Sequence, residues 1–210
     1  KLKWNTESRL IEYGSYINKS INFDNLKNFD LKRNKYILQV TRLEPENNPL
    51  LTIQAFKKFK LDNPNSNLKL IIIGDVPYKS NYSNNIKKEK RNDIILPGYL
   101  YDLNILTELR NNCLAYIHGN QVGGTNPALL EAMGSYSFII ARDVNFNREV
   151  LENGGIYYEK NLESLLHCLK LTFHEKVNRK KAIDFSINKI KKYYNWDRIA
   201  LNYKEMLENI

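Results

Sequence analysis

Leu68-Lys69-Leu70-Ile71-Ile72-Ile73-Gly74-Asp75 is a near-continuous apolar run, rich in β-branched residues and cut off by a Gly-Asp pair. It is too short for a buried helix and too uniformly apolar for a half-exposed strand. Such a run fits a strand covered on both faces, as in a parallel sheet. Upstream, Tyr36-Ile37-Leu38-Gln39-Val40 reads as a second short strand. Between the two, Leu50, Ile53, Ala55, Phe56 and Phe59 recur at helical spacing behind Pro49, a residue suited to a first helical turn.

Downstream the alternation continues. Asp93-Ile94-Ile95-Leu96 predicts a strand ended by Pro97-Gly98, and Leu103 to Leu109 a helix. Leu114-Ala115-Tyr116-Ile117 predicts a strand ending at His118-Gly119, Pro127 to Met133 a helix, and Phe138-Ile139-Ile140-Ala141 a strand. A short helix around Arg148 to Glu152 precedes a sixth strand, Ile156-Tyr157-Tyr158. From Asn161 the pattern stays helical through Leu165, Leu169, Ile183, Ile187 and Ile190. Strand–helix alternation repeated this often predicts an α/β fold: a Rossmann-like, doubly wound parallel sheet with helices on both faces.

The whole chain has 210 residues, suited to one generous α/β domain, and 42% apolar residues supply its core. No apolar run approaches the roughly 18 residues of a membrane span. Cys113 and Cys168 lie far apart in apolar surroundings and read as buried thiols of a reducing compartment. The expected location is cytoplasmic. Residues 1–17 read as a strand-like connector or remnant of an upstream domain, 18–195 as the Rossmann-like domain, and 196–210 as a last amphipathic helix. The two ends either pack on this domain or face one that precedes Lys1. The net charge is +9. Its clusters, Lys87 to Arg91, Arg179 to Lys181 and Lys189 to Lys192, read first as solvated helix faces. Peripheral contact with an anionic membrane surface is the second reading. Nucleic acid is not an expected partner, because no recognition motif accompanies the charge.

In an open parallel sheet, ligands bind beyond the carboxyl ends of the strands. The first strand is followed by Thr41-Arg42-Leu43-Glu44-Pro45-Glu46-Asn47-Asn48, not Gly-x-Gly-x-x-Gly, so a dinucleotide held in the dehydrogenase manner is not expected. P-loop and Gly-x-Ser-x-Gly patterns are missing, and His118, His167 and His174 form no metal set. The fourth strand leads into His118-Gly119-Asn120-Gln121-Val122-Gly123-Gly124-Thr125-Asn126-Pro127, a polar, glycine-bearing loop entering a helix with Asn126 as N-cap and Pro127 at N1. Gly123-Gly124 would let a phosphate approach the free N–H groups and positive dipole end of that helix. Glu131, one turn in, can accept hydrogen bonds from a ribose diol. Arg42 can bring a planar cation to a diphosphate across the same cleft. Alternatively the glycines make a tight turn, Glu131 is an ordinary exposed helix residue, and Arg42 is a surface ion-pair partner.

These residues carry a resemblance. From Tyr36 to Tyr158 the chain is similar to the C-terminal half of family 4 glycosyltransferases of GT-B architecture. It most resembles bacterial enzymes that build rhamnose-containing surface polysaccharides. The blocks are Arg42 to Asn48, Tyr116 to Ala132, and Phe146 to Val150. The resemblance implies a nucleotide-diphosphate-sugar donor, dTDP- or UDP-linked, and a glycan or lipid-linked acceptor held by a domain upstream of Lys1. It implies transfer with retention, no metal and no other cofactor. Carried over by position, Arg42 stabilises the leaving diphosphate and Glu131 is the ribose-facing Glu of a Glu-x7-Glu motif. The first Glu of that motif falls on Gly123, and the family's Lys position holds Asn47. The resemblance also places Gly74, Gly98 and Tyr99, His118, Gly123, Gly124, Thr125 and Asn126 around the donor. His118 either faces the donor or is satisfied by backbone. Asn147-Arg148-Glu149 either reaches the sugar or caps a helix. A non-catalytic nucleotide- or phosphate-binding module is the alternative function.

Overall fold

Odd and even residues of each central strand end up in different cores. The computed structural model describes residues 10–20 and 22–208. Its strands are β1 (Tyr36–Val40), β2 (Lys69–Ile73), β3 (Ile94–Gly98), β4 (Ala115–His118), β5 (Ile139–Arg142) and β6 (Gly155–Tyr158). Leu70 and Ile72 of β2 join Ile37, Ala115, Ile117 and Ile140 in one apolar cluster. Ile71 and Ile73 join Leu38, Tyr116, Ile139 and Ala141 in the other. Side chains alternate across a strand, so two buried faces require apolar residues at every position.

Helices α1 (Pro49–Asp62), α2 (Asn81–Lys87), α3 (Leu103–Asn112), α4 (Pro127–Gly134), α5 (Asn145–Leu151), α6 (Leu162–Phe173), α7 (Arg179–Tyr193) and α8 (Trp196–Glu208) supply the covers. Phe56 and Phe59 of α1, Ile86 of α2 and Leu165 of α6 line the first face. Leu109 of α3, Leu130 and Met133 of α4, Val150 of α5 and Ile190 of α7 line the second. The sheet order is β3-β2-β1-β4-β5-β6 and every pairing is parallel. This is the expected Rossmann-like doubly wound sheet. Its winding reverses between β1 and β4, and that switch point is where such sheets open a crevice for ligands.

Several local expectations need correction. β3 runs through Pro97 and Gly98 instead of ending before them. It is an edge strand, where a missing N–H costs no ladder bond. α5 begins at Asn145, ahead of the expected start near Arg148. α2 was not anticipated. Its start is fixed by Ser80, whose hydroxyl accepts from Ser83 N at 3.2 Å. Two 3-10 turns, Asp24–Phe29 and Pro45–Asn47, were also unread.

The strand-like reading of the N-terminal connector fails over residues 10–17, which form neither strand nor helix. Residues 1–9 lie outside the described part. Ser15 N donates to Tyr194 O at 2.6 Å, and Asn18 N donates to Gly134 O at 3.0 Å. A Cβ on Gly14 would lie 2.6 Å from the Trp196 ring, so the connector packs flat against the start of α8. α8 buries Ile199 while Leu201, Tyr203 and Leu207 stay exposed.

The basic clusters are only partly solvated faces. Lys87 pairs with Asp75 at 2.7 Å and Arg91 with Asp93 at 2.6 Å. Lys189 is buried and bonds Glu149 O and the Glu152 carboxylate. Both cysteines are free and buried, as expected. No helix among the described residues is long and apolar enough to cross a membrane.

Candidate functional site

β1 and β4 are adjacent, with Ile37 opposite Ala115 and Leu38 opposite Tyr116. The segments that follow them therefore leave the same edge of the sheet, side by side. They are also bonded together. Gln121 N donates to Glu46 O at 3.0 Å, and the Asn48 amide donates to Gly119 O at 2.8 Å. A Cβ at Gly119 would stand 2.1 Å from Asn47 O, so only glycine permits this closeness. Gln39 of β1 reaches up to donate to Asn47 O at 2.9 Å. Asn48 sits at φ +55, the left-handed conformation that asparagine tolerates, and turns the chain into Pro49 and α1.

Within this framework Asn47 is buried. Its amide donates to Arg42 O at 3.1 Å and so fixes the backbone of the residue that was read as the diphosphate cation. The Arg42 side chain itself is 66% exposed. Its Nη2 lies 3.1 Å from Oε2 of the nearly buried Glu44. That oxygen makes no hydrogen bond among the described residues, so its contact with Arg42 is one of charge alone. The other Glu44 oxygen accepts from the Tyr78 hydroxyl at 2.7 Å.

Next to β1, the turn after β2 is equally tight. Gly74 has φ +130, and a Cβ there would lie 1.9 Å from Thr41 O. Gly74 N donates to Gly98 O at 2.8 Å, linking the ends of β2 and β3. Gly98 has φ +82 and is followed by half-exposed Tyr99, whose ring stacks on Tyr101 with centroids 5.7 Å apart. Burial pushes the Asp75 carboxyl up, but Lys87, Val76 N and the Ser83 hydroxyl together hold it below its usual range.

Across the switch point, Gly123 has φ +124 and both Gly123 and Gly124 are exposed. A Cβ on either would meet nothing within 4 Å. Thr125 and Asn126 are half-buried. The Asn126 carboxamide oxygen accepts from Ala128 N at 2.9 Å, confirming the N-cap, and Pro127 opens α4.

His118 closes β4 and is 1% exposed. Burial lowers its pKa to about 4, against partial support from Asn147, so the ring is neutral; its Nε2 has no hydrogen-bond partner among the described residues. Asn147 is fully buried and donates to Asn120 O at 3.0 Å and Arg142 O at 2.8 Å. It does not cap α5, whose N-cap is Val144. Instead it fastens α5 beneath the loop after β4. Arg148 forms a two-point pair with Asp143, at 2.5 and 2.7 Å.

Glu131 lies on α4 with its side chain 46% exposed. One carboxylate oxygen lies 2.5 Å from Nη2 of Arg110, a residue on α3 that is 4% exposed. Sequence reading did not find Arg110. A signal was present, since position 110 continues the Leu103–Leu106 stripe at helical spacing and places a cation on an apolar face.

At the switch point of the Rossmann-like sheet, the exposed Arg42 thus follows β1 while the capped N-terminus of α4 follows β4. That defines the class as a Rossmann-like α/β domain. The family follows from sequence. Residues 22–192 match the model of "Glycosyl transferases group 1", and the chain belongs to that family. No curated protein sequence matches the chain.

Among solved structures, Anabaena Alr3699/HepE in complex with UDP and glucose superposes with a TM-score of 0.82 at 16% identity, over 96% of this chain and 57% of that one. A glycosyltransferase from Rickettsia africae gives 0.75 at 17% identity, over 88% and 50%. Sucrose-phosphate synthase from Thermosynechococcus elongatus gives 0.77 at 14% identity, over 96% and 52%. The likeness is one of fold, and the chain spans about half the length of these proteins.

Proposed function

We propose that this chain is the donor-binding half of a GT-B glycosyltransferase. The observation that supports it best is the pinning of the Arg42 loop to the Gly119–Asn126 loop at the switch point. In this reading, a nucleoside diphosphate sugar lies along the carboxyl edge of the sheet. Its diphosphate meets the N–H groups of Gly124, Thr125 and Asn126 at the start of α4. Arg42 swings from Glu44 to the phosphates, and Glu131 takes the ribose hydroxyls. Gly98 and Tyr99 border the base, with Gly74 setting the turn beneath it. Asn47 and His118 contribute from below, by shaping the two loops.

When the bond from the anomeric carbon to the phosphate oxygen breaks, negative charge grows on the departing diphosphate. Fixed N–H dipoles and a guanidinium aimed at that charge lower the barrier without reorganising. The reaction so read needs no metal and retains the anomeric configuration. The sequence blocks favour a dTDP- or UDP-linked sugar, rhamnose first, and a role in bacterial surface-polysaccharide synthesis. The acceptor, a glycan or lipid-linked glycan, would be held by a second domain, in keeping with the half-length match to solved glycosyltransferases. The exposed lysines of α7, Lys180, Lys181, Lys191 and Lys192, are candidates for contact with an anionic membrane.

A thermal-shift panel with UDP, dTDP and GDP, free and sugar-linked, tests the reading. At least one diphosphate should raise the melting temperature, and the chain alone should transfer no sugar. Failure of all of them to bind would end the proposal.

A further inference from the structure

Arg110 is the least expected charge in the molecule. It sits in the last turn of α3, with its residue surface 4% exposed, and Glu131 is its ion-pair partner. Its Nε is buried with no hydrogen-bond partner among the described residues. Its carbonyl oxygen accepts from the Ser137 hydroxyl at 2.8 Å and the Cys113 thiol at 3.2 Å, so the backbone carrying it is fixed. A buried guanidinium costs desolvation that one half-exposed carboxylate offsets only in part, and an apolar side chain would fill the same space with less cost. The pair is therefore hard to explain by stability alone.

Its position offers another explanation. Arg110 and Glu131 form part of the wall of a cavity of about 240 Å³ that also touches Leu103 and Thr107 of α3, Pro127 of α4 and Trp196. Pro127 is the first residue of α4, so the cavity reaches the helix N-terminus assigned to the diphosphate. Arg110 engages Oε2 of Glu131, while Oε1 has no hydrogen bond among the described residues. A free glutamate on a helix surface samples many rotamers and must be ordered when it binds, at a cost in affinity.

We propose that Arg110 is a positioning residue: it holds the Glu131 carboxylate on the cavity wall so that the open oxygen is ready for the sugar hydroxyls of a nucleoside. This inference rests on the nucleotide-binding reading above and deepens it. It differs from a packing role in what it predicts for ligands of different size. Pyrophosphate touches only the α4 N-terminus and Arg42, whereas a nucleoside diphosphate also uses Glu131.

The experiment is calorimetry on Arg110→Gln, Arg110→Lys, Glu131→Ala and the Arg110→Gln/Glu131→Ala pair. Each is titrated with inorganic pyrophosphate and with whichever of UDP, dTDP and GDP binds the unaltered chain. Arg110→Gln should lose about tenfold in nucleotide affinity and leave pyrophosphate affinity unchanged, with Arg110→Lys in between. In the Glu131→Ala background the Arg110 exchange should add nothing, because the group it orients is gone. Equal losses for both ligands, losses that add in the double variant, or an unchanged nucleotide affinity would overturn the proposal. Should Arg110→Gln not fold, Arg110→Lys decides alone: an unaltered ratio of nucleotide to pyrophosphate affinity overturns it. If the unaltered chain binds none of the three nucleotides, the site reading itself falls. If it binds and the ratio stays fixed in the variants, only the role of Arg110 falls.

Discussion

Gly124→Ala separates a ligand-binding loop from a mere turn, because the two readings predict different pairs of signs. The φ of Gly124 lies outside the left-handed region, and a Cβ added there has no heavy atom within 4 Å. An alanine that fits the native conformation restricts the unfolded chain and stabilises the fold by about 0.4–1 kcal/mol. For a chain of this size the melting temperature should then rise by roughly 1–4 °C. The same methyl group stands where a phosphate must come close to the backbone N–H groups before α4. Losing one hydrogen bond to a charged ligand costs about 1.5–3 kcal/mol, which is roughly ten- to more than a hundredfold in affinity.

The expected result is a more stable protein that binds its nucleotide diphosphate far less well. Thermal unfolding and calorimetry with UDP and pyrophosphate read both quantities on one preparation. A stabilised variant with unchanged affinity for both ligands refutes the cradle. Gly123→Ala is the control: at φ +124 an alanine is strained by about 1–3 kcal/mol, so stability and affinity should fall together.

Arg42→Ala should weaken pyrophosphate binding by about 1.5–3 kcal/mol with little change in melting temperature, since its pair with Glu44 is exposed on the arginine side and worth about 0–1 kcal/mol. Little loss in a folded variant would place Arg42 outside the site. Glu44→Gln should act the other way, tightening pyrophosphate binding by up to about fivefold as Arg42 is released, and calorimetry showing weaker binding would contradict the competition. Gly74→Ala should cost about 3 kcal/mol or more in urea unfolding, because φ +130 is strained for alanine and its Cβ would meet Thr41 O at 1.9 Å. Burial holds His118 at about 4 against an ordinary 6.5. Between those values the unfolded chain binds a proton that the folded chain excludes, so this group makes stability fall as pH drops from 6.5 to 4, by at most about 1.4 kcal/mol per unit. His118→Gln should flatten that part of the stability curve, and parallel curves for the two proteins would show the ring protonated in the fold.

How far the sequence could be read depended on whether the information was local. Ile71-Ile72-Ile73 before Gly74 announces a two-faced strand by itself, and the six strands fell near their expected places for that reason. α2 carries only Tyr82 and Ile86 as apolar residues in Asn81 to Lys87, too few for a periodic signal. It holds through the Ser80 cap and the burial of Ile86, which only the tertiary fold supplies. The same division runs through the site. Asn126-Pro127 marks a helix start in any context, and the glycines before it mark an open loop. Nothing local reveals that Asn48 reaches Gly119, that Asn147 reaches Asn120, or that Arg110 and Glu131 meet across two helices. Lys189, counted in a solvated basic cluster, has its charge bound inside the fold by Glu152 for the same reason.

The proposed diphosphate site has few cations to offer. In the family that the sequence resembles, a Lys accompanies the Arg after the first strand. Here Asn47 occupies that position, buried and bonded to Arg42 O. An ammonium at that depth would lose its hydration. Arg42 faces Glu44 and Arg110 faces Glu131, so each of these two guanidiniums already has a carboxylate partner. In the proposed site, a ligand with several negative charges draws on the fixed N–H dipoles of the α4 N-terminus and on Arg42 as it leaves Glu44. Dipole contacts inside the loop are short-ranged and little screened, whereas an exposed Arg42–Glu44 pair weakens as salt rises. Added salt therefore acts in two directions, loosening the competitor pair while screening the attraction between Arg42 and phosphate. Pyrophosphate affinity should fall less steeply with ionic strength than it would for a site built from two free cations. In Glu44→Gln the first of these effects is gone, and the salt dependence should become steeper.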